Sequence, residues 1–210
     1  MTPKGYSTPE KVAAYLGITL TEALTAKFNT WIASVEVIID QMTDRNFKAD
    51  SNATARLYDG DNTNELLIDD CVEITKVEIG QDDYGASFQE VLATGTDRYW
   101  TDPANHVARK LPIRKVTLRS QGFLWGKQNQ RITAKWGYSA TPPADIEFAT
   151  TVFVAGIYNN STTGGSGEVK SEKIGNYQVT YDTDSEGGAN SWADFKAAQD
   201  TVNQYKRLVI

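Results

Sequence analysis

Cysteine and histidine each occur once in the 210 residues, as Cys71 and His106. A single thiol excludes an internal disulfide, and one thiol with one imidazole cannot assemble the Cys/His sets of a structural zinc site. Cys71 follows two acids and precedes the apolar Val72, where a plain reduced thiol and a reducing compartment of folding are expected. A surplus of positive charge is missing too: 21 Lys and Arg stand against 27 Asp and Glu, a net charge of −6. Without a basic footprint the chain is not expected to clamp nucleic acid through its phosphates. The apolar runs fall short of the ~20 residues that span a bilayer, and the opening MTPKGYSTPEK lacks the basic-then-apolar order of a secretory leader. A soluble, unexported chain with no membrane contact is therefore expected, and the sequons at Asn52, Asn159 and Asn160 are chance matches.

What is present suffices for folding, since 40% apolar residues with 10% aromatics can bury a sizeable core. Ser7-Thr8-Pro9-Glu10 supplies a hydroxyl cap, a proline in the first turn and an acid at the positive end of the dipole, which predicts a helix closed by Gly17. A longer helix is predicted from Thr21, where Leu24, Phe28, Trp31/Ile32, Val35, Ile38/Ile39 and Met42 recur every three to four residues, ending near Asp44–Phe47. From Ala53 the period becomes two. Arg56-Leu57-Tyr58, the turn Asp59–Asn62 and Glu65–Ile68 read as a hairpin. Val72/Ile74 and Val77/Ile79 alternate out of phase, which predicts a bulge or two short strands. Further strands are expected at Arg114–Leu118 and Arg131–Trp136, with Tyr84–His106 a long irregular stretch.

Pro142-Pro143 stops the sheet, and Asp145 opens a helix carrying Ile146, Ala149, Val152/Phe153 and Ile157. Asn159–Gly167 has linker composition, Ile174–Tyr181 is β-like, and Asp184–Ala189 is a second loose loop. The last helix opens on the capping box Ser191–Asp194 and is expected to run to the chain end. The fold class is thus α+β: a helical body of about four helices (1–52 and 139–210, with flexible loops 159–167 and 184–189) around an inserted antiparallel β-rich module (53–138).

Each candidate for chemistry has a plainer reading. Asp59, Asp61, Thr63, Glu65 and Asp70 mimic calcium-loop spacing, but Asn64 replaces the glycine of the sharp turn and strands flank it, so an acidic turn is expected. Gly164–Ser171 suggests a phosphate loop, yet Val169 breaks the required Gly-Lys-Ser/Thr. His106, with Asp102 four residues before it, could serve as a general base. Neither Ser120 nor Ser139 sits in a nucleophile elbow, and a loop histidine without function is expected. Asp69 and Asp70 would point to opposite faces of a strand. No catalytic residue, metal ligand or cofactor is assigned.

The order Thr8-Pro9-Glu10-x-Val12-x-x-Tyr15-Leu16-Gly17, then Thr43-Asp44-Arg45-Asn46-Phe47, then Ile132-Thr133-Ala134-Lys135-Trp136-Gly137-Tyr138-x-x-x-Pro142-Pro143-Ala144-Asp145-Ile146 resembles the head-tail connector (adaptor, or head-completion) proteins of tailed bacteriophages. The later Ser171–Tyr181, SEKIGNYQVTY, adds to it. The resemblance implies a non-enzymatic virion protein that assembles in the bacterial host cytoplasm and forms a ring, usually dodecameric, beneath the portal protein. Such a ring joins capsid to tail, meets the next neck or tail-completion protein, and lines a channel through which DNA passes without sequence-specific binding. The insertion Ala53–Tyr138 departs from the smaller, almost wholly helical members. A tail-completion or terminator factor is the alternative of the same kind. A small carbohydrate-binding or hydrolytic β-module protein, using Tyr99-Trp100, Phe123–Trp125 or Trp136–Tyr138, is the alternative of another class. Within the connector reading, Tyr205, Lys206, Arg207, Leu208, Val209 and Ile210 are expected to dock on the portal or a neighbouring subunit, because apolar residues at a chain end need a partner. Lys173, Asn176 and Tyr177 are expected in a loop facing the channel.

Overall fold

The computed structural model describes residues 2–82, 85, 87–95, 98–162, 169–174, 177–182 and 192–207. The chain divides into two compact units, Met1–Phe47 with Pro142–Ile210, and Lys48–Thr141.

In the first unit, helix α1 spans Pro9–Leu16 with Thr8 as its cap, the hydroxyl accepting from the Lys11 N–H. Gly17 ends it in the left-handed region at φ 68°, where its own N–H and that of Ile18 satisfy the carbonyls of Ala14 and Ala13. Helix α2, Glu22–Thr43, starts from the Thr21 hydroxyl and stops at Asp44, which is also left-handed at φ 53°. Its predicted stripe is the buried one: Phe28, Ile32, Val35 and Ile39 are fully enclosed, each worth about 1.5–3 kcal/mol of transfer free energy.

The second unit holds strands β1 (Thr54–Gly60), β2 (Glu65–Gly80), β3 (Phe88–Val91) and β4 (Tyr99–Asp102), the short helix α3 (His106–Arg109), and strands β5 (Ile113–Leu118) and β6 (Gly126–Trp136). All ladders of the six-stranded sheet are antiparallel, in the order β1-β6-β2-β5-β4, with β3 pairing the far end of β2, Val77–Gly80, beyond the residues that β5 takes. Two expectations change. The hairpin of β1 with β2 does not form, because β6 lies between them and pairs with both. Asn62 at φ 67° sends its N–H to Phe123, and Phe123 returns one to Thr63, so the predicted turn is stitched sideways to the segment leading into β6. In that central place β6 buries Ile132, Ala134 and Trp136. The stretch expected to be irregular, Tyr84–His106, contains β3 and β4 and ends on the first residue of α3; four-residue elements are too short for periodicity to reveal. The phase slip in β2 is a true irregularity, with register shifts between Cys71 and Glu73 and between Ile74 and Lys76.

Entry and exit of the sheet unit run side by side. Ala49 donates to Ser139, Asp50 donates to Trp136, and Gly137 donates to Asp70. Gly137 sits at φ 135°, and a Cβ there would lie 2.5 Å from the Ala49 Cα, so the crossing tolerates no side chain. The Trp136 indole locks the same corner by donating to the Thr54 carbonyl at 2.8 Å. The aromatic strand before the two prolines therefore fastens the neck of an insertion.

Returning to the first unit, helix α4 spans Ala144–Thr162 and is buried almost all round from Ile146 to Gly156. It is the axis against which α1, α2 and the last helix pack. Four residues of the expected linker, 159–162, belong to this helix, with Ser161 and Thr162 bonding back to the Tyr158 carbonyl. Residues 163–167 and 184–189 lie outside the described residues. The expected single β element is an antiparallel hairpin, β7 (Val169–Ile174) with β8 (Tyr177–Asp182). Helix α5, Trp192–Gln204, lays Phe195, Ala198 and Val202 against α4, with Phe195 tilted on Phe153 at 5.2 Å.

Candidate assembly surfaces

Helix α5 stops at Gln204 instead of running to the chain end. Its last groups are taken by the body: Tyr205 and Lys206 close a turn onto Val202 and Asn203, the Tyr205 carbonyl accepts from Arg45 Nε at 2.6 Å, and the Arg207 N–H goes to the Thr43 carbonyl. The Tyr205 ring meets Phe47 edge-on at 5.1 Å while its hydroxyl donates to Asp145 at 2.8 Å. Of the residues expected to dock, Tyr205 is thus fastened to its own unit, Lys206 is exposed and Arg207 half-buried. Leu208, Val209 and Ile210 lie outside the described residues. Lys173 and Tyr177 lie on the hairpin, opposite Gln178 and Ile174, and Asn176 lies outside the described residues.

The most perturbed titratable cluster was not visible as a motif. Glu36 is buried in the middle of α2 and accepts three backbone N–H groups, from Lys4 at 2.5 Å, Gly5 at 2.8 Å and Tyr6 at 2.7 Å. One turn later Asp40 takes the Lys4 ammonium and the Tyr6 hydroxyl, and that hydroxyl in turn accepts the Phe47 N–H at 2.7 Å. Burial, then the hydrogen bond to Asp40, pushes the Tyr6 hydroxyl far above its ordinary range. Burial raises Asp40 against the opposing pull of Lys4 and Tyr6. Displaced acids often mark catalysis, but these lone pairs are occupied by the chain itself, so the cluster is a clasp that binds the N-terminal segment to α2. Its sequence signal was an acid inside an apolar stripe, Val35-Glu36-Val37-Ile38-Ile39.

In the sheet unit, the acids of the calcium-like turn are engaged by their neighbours. Asp59 holds Lys127 at 2.6 Å and accepts from the Gln128 N–H, and Asp61 accepts from the N–H and hydroxyl of Thr63. These bonds hold both carboxyls below their ordinary range. Asp70 is buried in β2. Among the described residues no group of three His, Cys, Asp or Glu side chains is placed to hold a metal ion. His106 begins α3, and Asp102 ends β4. Cys71 is fully enclosed, and burial followed by the Asp70 charge pushes its thiol up to about 12, leaving it unreactive. Gln130 and Asn129 are buried at the end of β6, where both donate to the Leu124 carbonyl and hold the loop that displays Leu124 and Trp125 to solvent. Arg131 grips Glu78 with two bonds of 2.7 Å and stacks on Phe88 at 4.1 Å. Arg131 first, and Lys76 with it, draw the Glu78 carboxyl down to about 2. Among the described residues no helix is long and apolar enough to cross a membrane.

No family model matches the chain, and no curated protein matches it in sequence. Solved structures share its fold. A chain in the neck of an empty GTA particle, computed with C6 symmetry, superposes with a TM-score of 0.57 at 9% identity, covering 100% of this chain and 94% of that one. A chain in the neck of a native GTA particle, computed with C12 symmetry, gives a TM-score of 0.52, also at 9% identity, covering 100% of this chain and 93% of that one.

Proposed function

We propose that the chain is a structural subunit of a particle neck, a head-tail adaptor that forms a homo-oligomeric ring beneath the portal protein and joins capsid to tail without enzymatic activity. The observation that carries this reading is the correspondence of fold over the whole chain, helical unit and insertion together, with chains of neck structures computed with sixfold and twelvefold symmetry. The sequence resemblance to phage connectors points the same way. A ring closes when each subunit offers two different, complementary faces, and this calls for surfaces rather than a reactive pocket. The net charge of −6 suits a channel wall that lets a duplex slide, because it repels phosphates.

In this reading Tyr205 and the Arg207 N–H tie the chain to its own unit, and the Lys206 and Arg207 side chains with Leu208, Val209 and Ile210 bind a portal or neighbouring subunit. Lys173 and Tyr177, on the β7–β8 ribbon, face the channel together with Asn176, and the next neck or tail-completion protein binds the opposite side of the ring. The subunits assemble in the bacterial host cytoplasm and reside in the virion neck. Co-sedimentation with purified portal rings tests the reading. The full chain is expected to travel with the portal, and removal of Leu208–Ile210 to weaken that attachment while leaving the melting temperature nearly unchanged. Full-length chain that stays behind under every salt condition overturns the adaptor function; truncated chain that binds equally well overturns the docking role of the end.

A further inference from the structure

The outer face of β2, β5 and β4 carries an open cleft of about 660 Å³. Cross-strand register defines its floor. Trp100 lies opposite Thr117, which lies opposite Glu65; one step along, Asp102 lies opposite Lys115, which lies opposite Leu67. Directly opposed residues of an antiparallel ladder share a face, so these six form two rows across three strands. Trp100 is 46% exposed, and the Arg98 guanidinium, 5.3 Å from its ring centroid, restrains the indole. Ala93 and Ala104, with small side chains, also line the cleft. Lys115 is bonded to Glu65 at 2.8 Å, and this bond, ahead of the Asp102 charge, keeps the ammonium protonated beyond its ordinary range.

We propose that this cleft binds a neutral pyranose glycan, with one sugar ring stacked on Trp100. The occupant must be flat and apolar on one face to cover the indole. At its edge it must offer both donors and acceptors, because Asp102 and Glu65 accept, Lys115 donates and Thr117 does either. A pyranose has this character: axial C–H bonds on the face and hydroxyls around the rim. A phosphate-bearing ligand would meet two carboxylates, and a purely apolar one would strip water from three charges without replacing it. An added β-strand is disfavoured as well, since β4 is four residues long and runs directly into Pro103, which cannot donate. The volume lies within the roughly 300–1,000 Å³ of small-ligand clefts. The inference concerns the sheet unit alone and stands whether or not the chain enters a neck ring.

Saturation-transfer NMR on the full chain, with chitotriose, maltotriose and a rhamnose trisaccharide at millimolar concentration, tests it. At least one probe is expected to receive saturation at its ring C–H protons. Trp100→Ala should weaken binding about tenfold or more, as loss of an aromatic platform does. Ala93→Arg, which fills the cleft and leaves Trp100 in place, should abolish it even if the first variant folds poorly. Trp125→Ala removes an exposed indole that lies outside the cleft and should change nothing. Silence from all three probes overturns the proposal, as does a signal that survives Trp100→Ala and Ala93→Arg together or is lost equally in Trp125→Ala.

Discussion

Replacing Glu36 by glutamine keeps shape and volume while removing one acceptor and the charge. Gly5 and Tyr6 donate to one carboxylate oxygen and Lys4 to the other, so an amide can satisfy the first pair with its carbonyl and must turn an NH₂ toward the Lys4 N–H. One charge-assisted bond is lost outright, at about 1.5–3 kcal/mol, and two are weakened to neutral strength. Relief of a buried charge offsets part of this, leaving a net loss of about 2–3 kcal/mol. For a protein of this length that corresponds to a fall in Tm of roughly 4–12 °C by scanning calorimetry. Glu22→Gln, exposed in the first turn of the same helix, should cost less than about 1 kcal/mol. Amide exchange at Lys4, Gly5 and Tyr6 should accelerate in Glu36→Gln and not in the control. A Tm unchanged to within about 2 °C, with exchange at those three amides also unchanged, would refute the clasp.

The Glu78 carboxyl, drawn below its ordinary value, contributes stability that is complete above pH about 4.5 and is lost as the pH falls toward about 2. Once solvent at the half-exposed Arg131 and Lys76 is allowed for, the contribution is about 1–2 kcal/mol, so the Tm gap between wild type and Glu78→Gln should close across that window. A gap independent of pH contradicts the assignment. Gly137→Ala forces a Cβ to within 2.5 Å of Ala49 at positive φ and should lower stability by more than about 2 kcal/mol in urea titrations. Exchanging residues 53–138 for a short Gly/Ser linker should leave a soluble helical protein with a cooperative melt by circular dichroism, because Lys48 and Ala49 already pair with Ser139 across the two ends of the segment. Loss of all cooperativity speaks against an inserted module.

Elements that announce themselves by local chemistry were readable: the Thr8 and Thr21 caps, Gly17, the stripe of α2, and the alternation of Ile132, Ala134 and Trp136. Strand partnership was not. The turn Asp59–Asn62 carries the residues of a hairpin, but which strand occupies the edge of β1 depends on contacts some seventy residues away, as between Gly60 and Asn129. The clasp escaped for a similar reason, since an acid in an apolar stripe reveals that something must satisfy it and not that the N-terminal backbone does. The expected continuation of α5 failed because Arg45 and Thr43, distant in sequence, take the groups that would have prolonged it.

The proposed role requires assembly, and native mass spectrometry of the chain mixed with purified portal rings reads this directly. A complex in which a full ring of this chain, expected at twelve copies, sits on each portal ring is the predicted result. Portal rings that remain bare at every ratio, while the chain stays folded and monomeric, would contradict it.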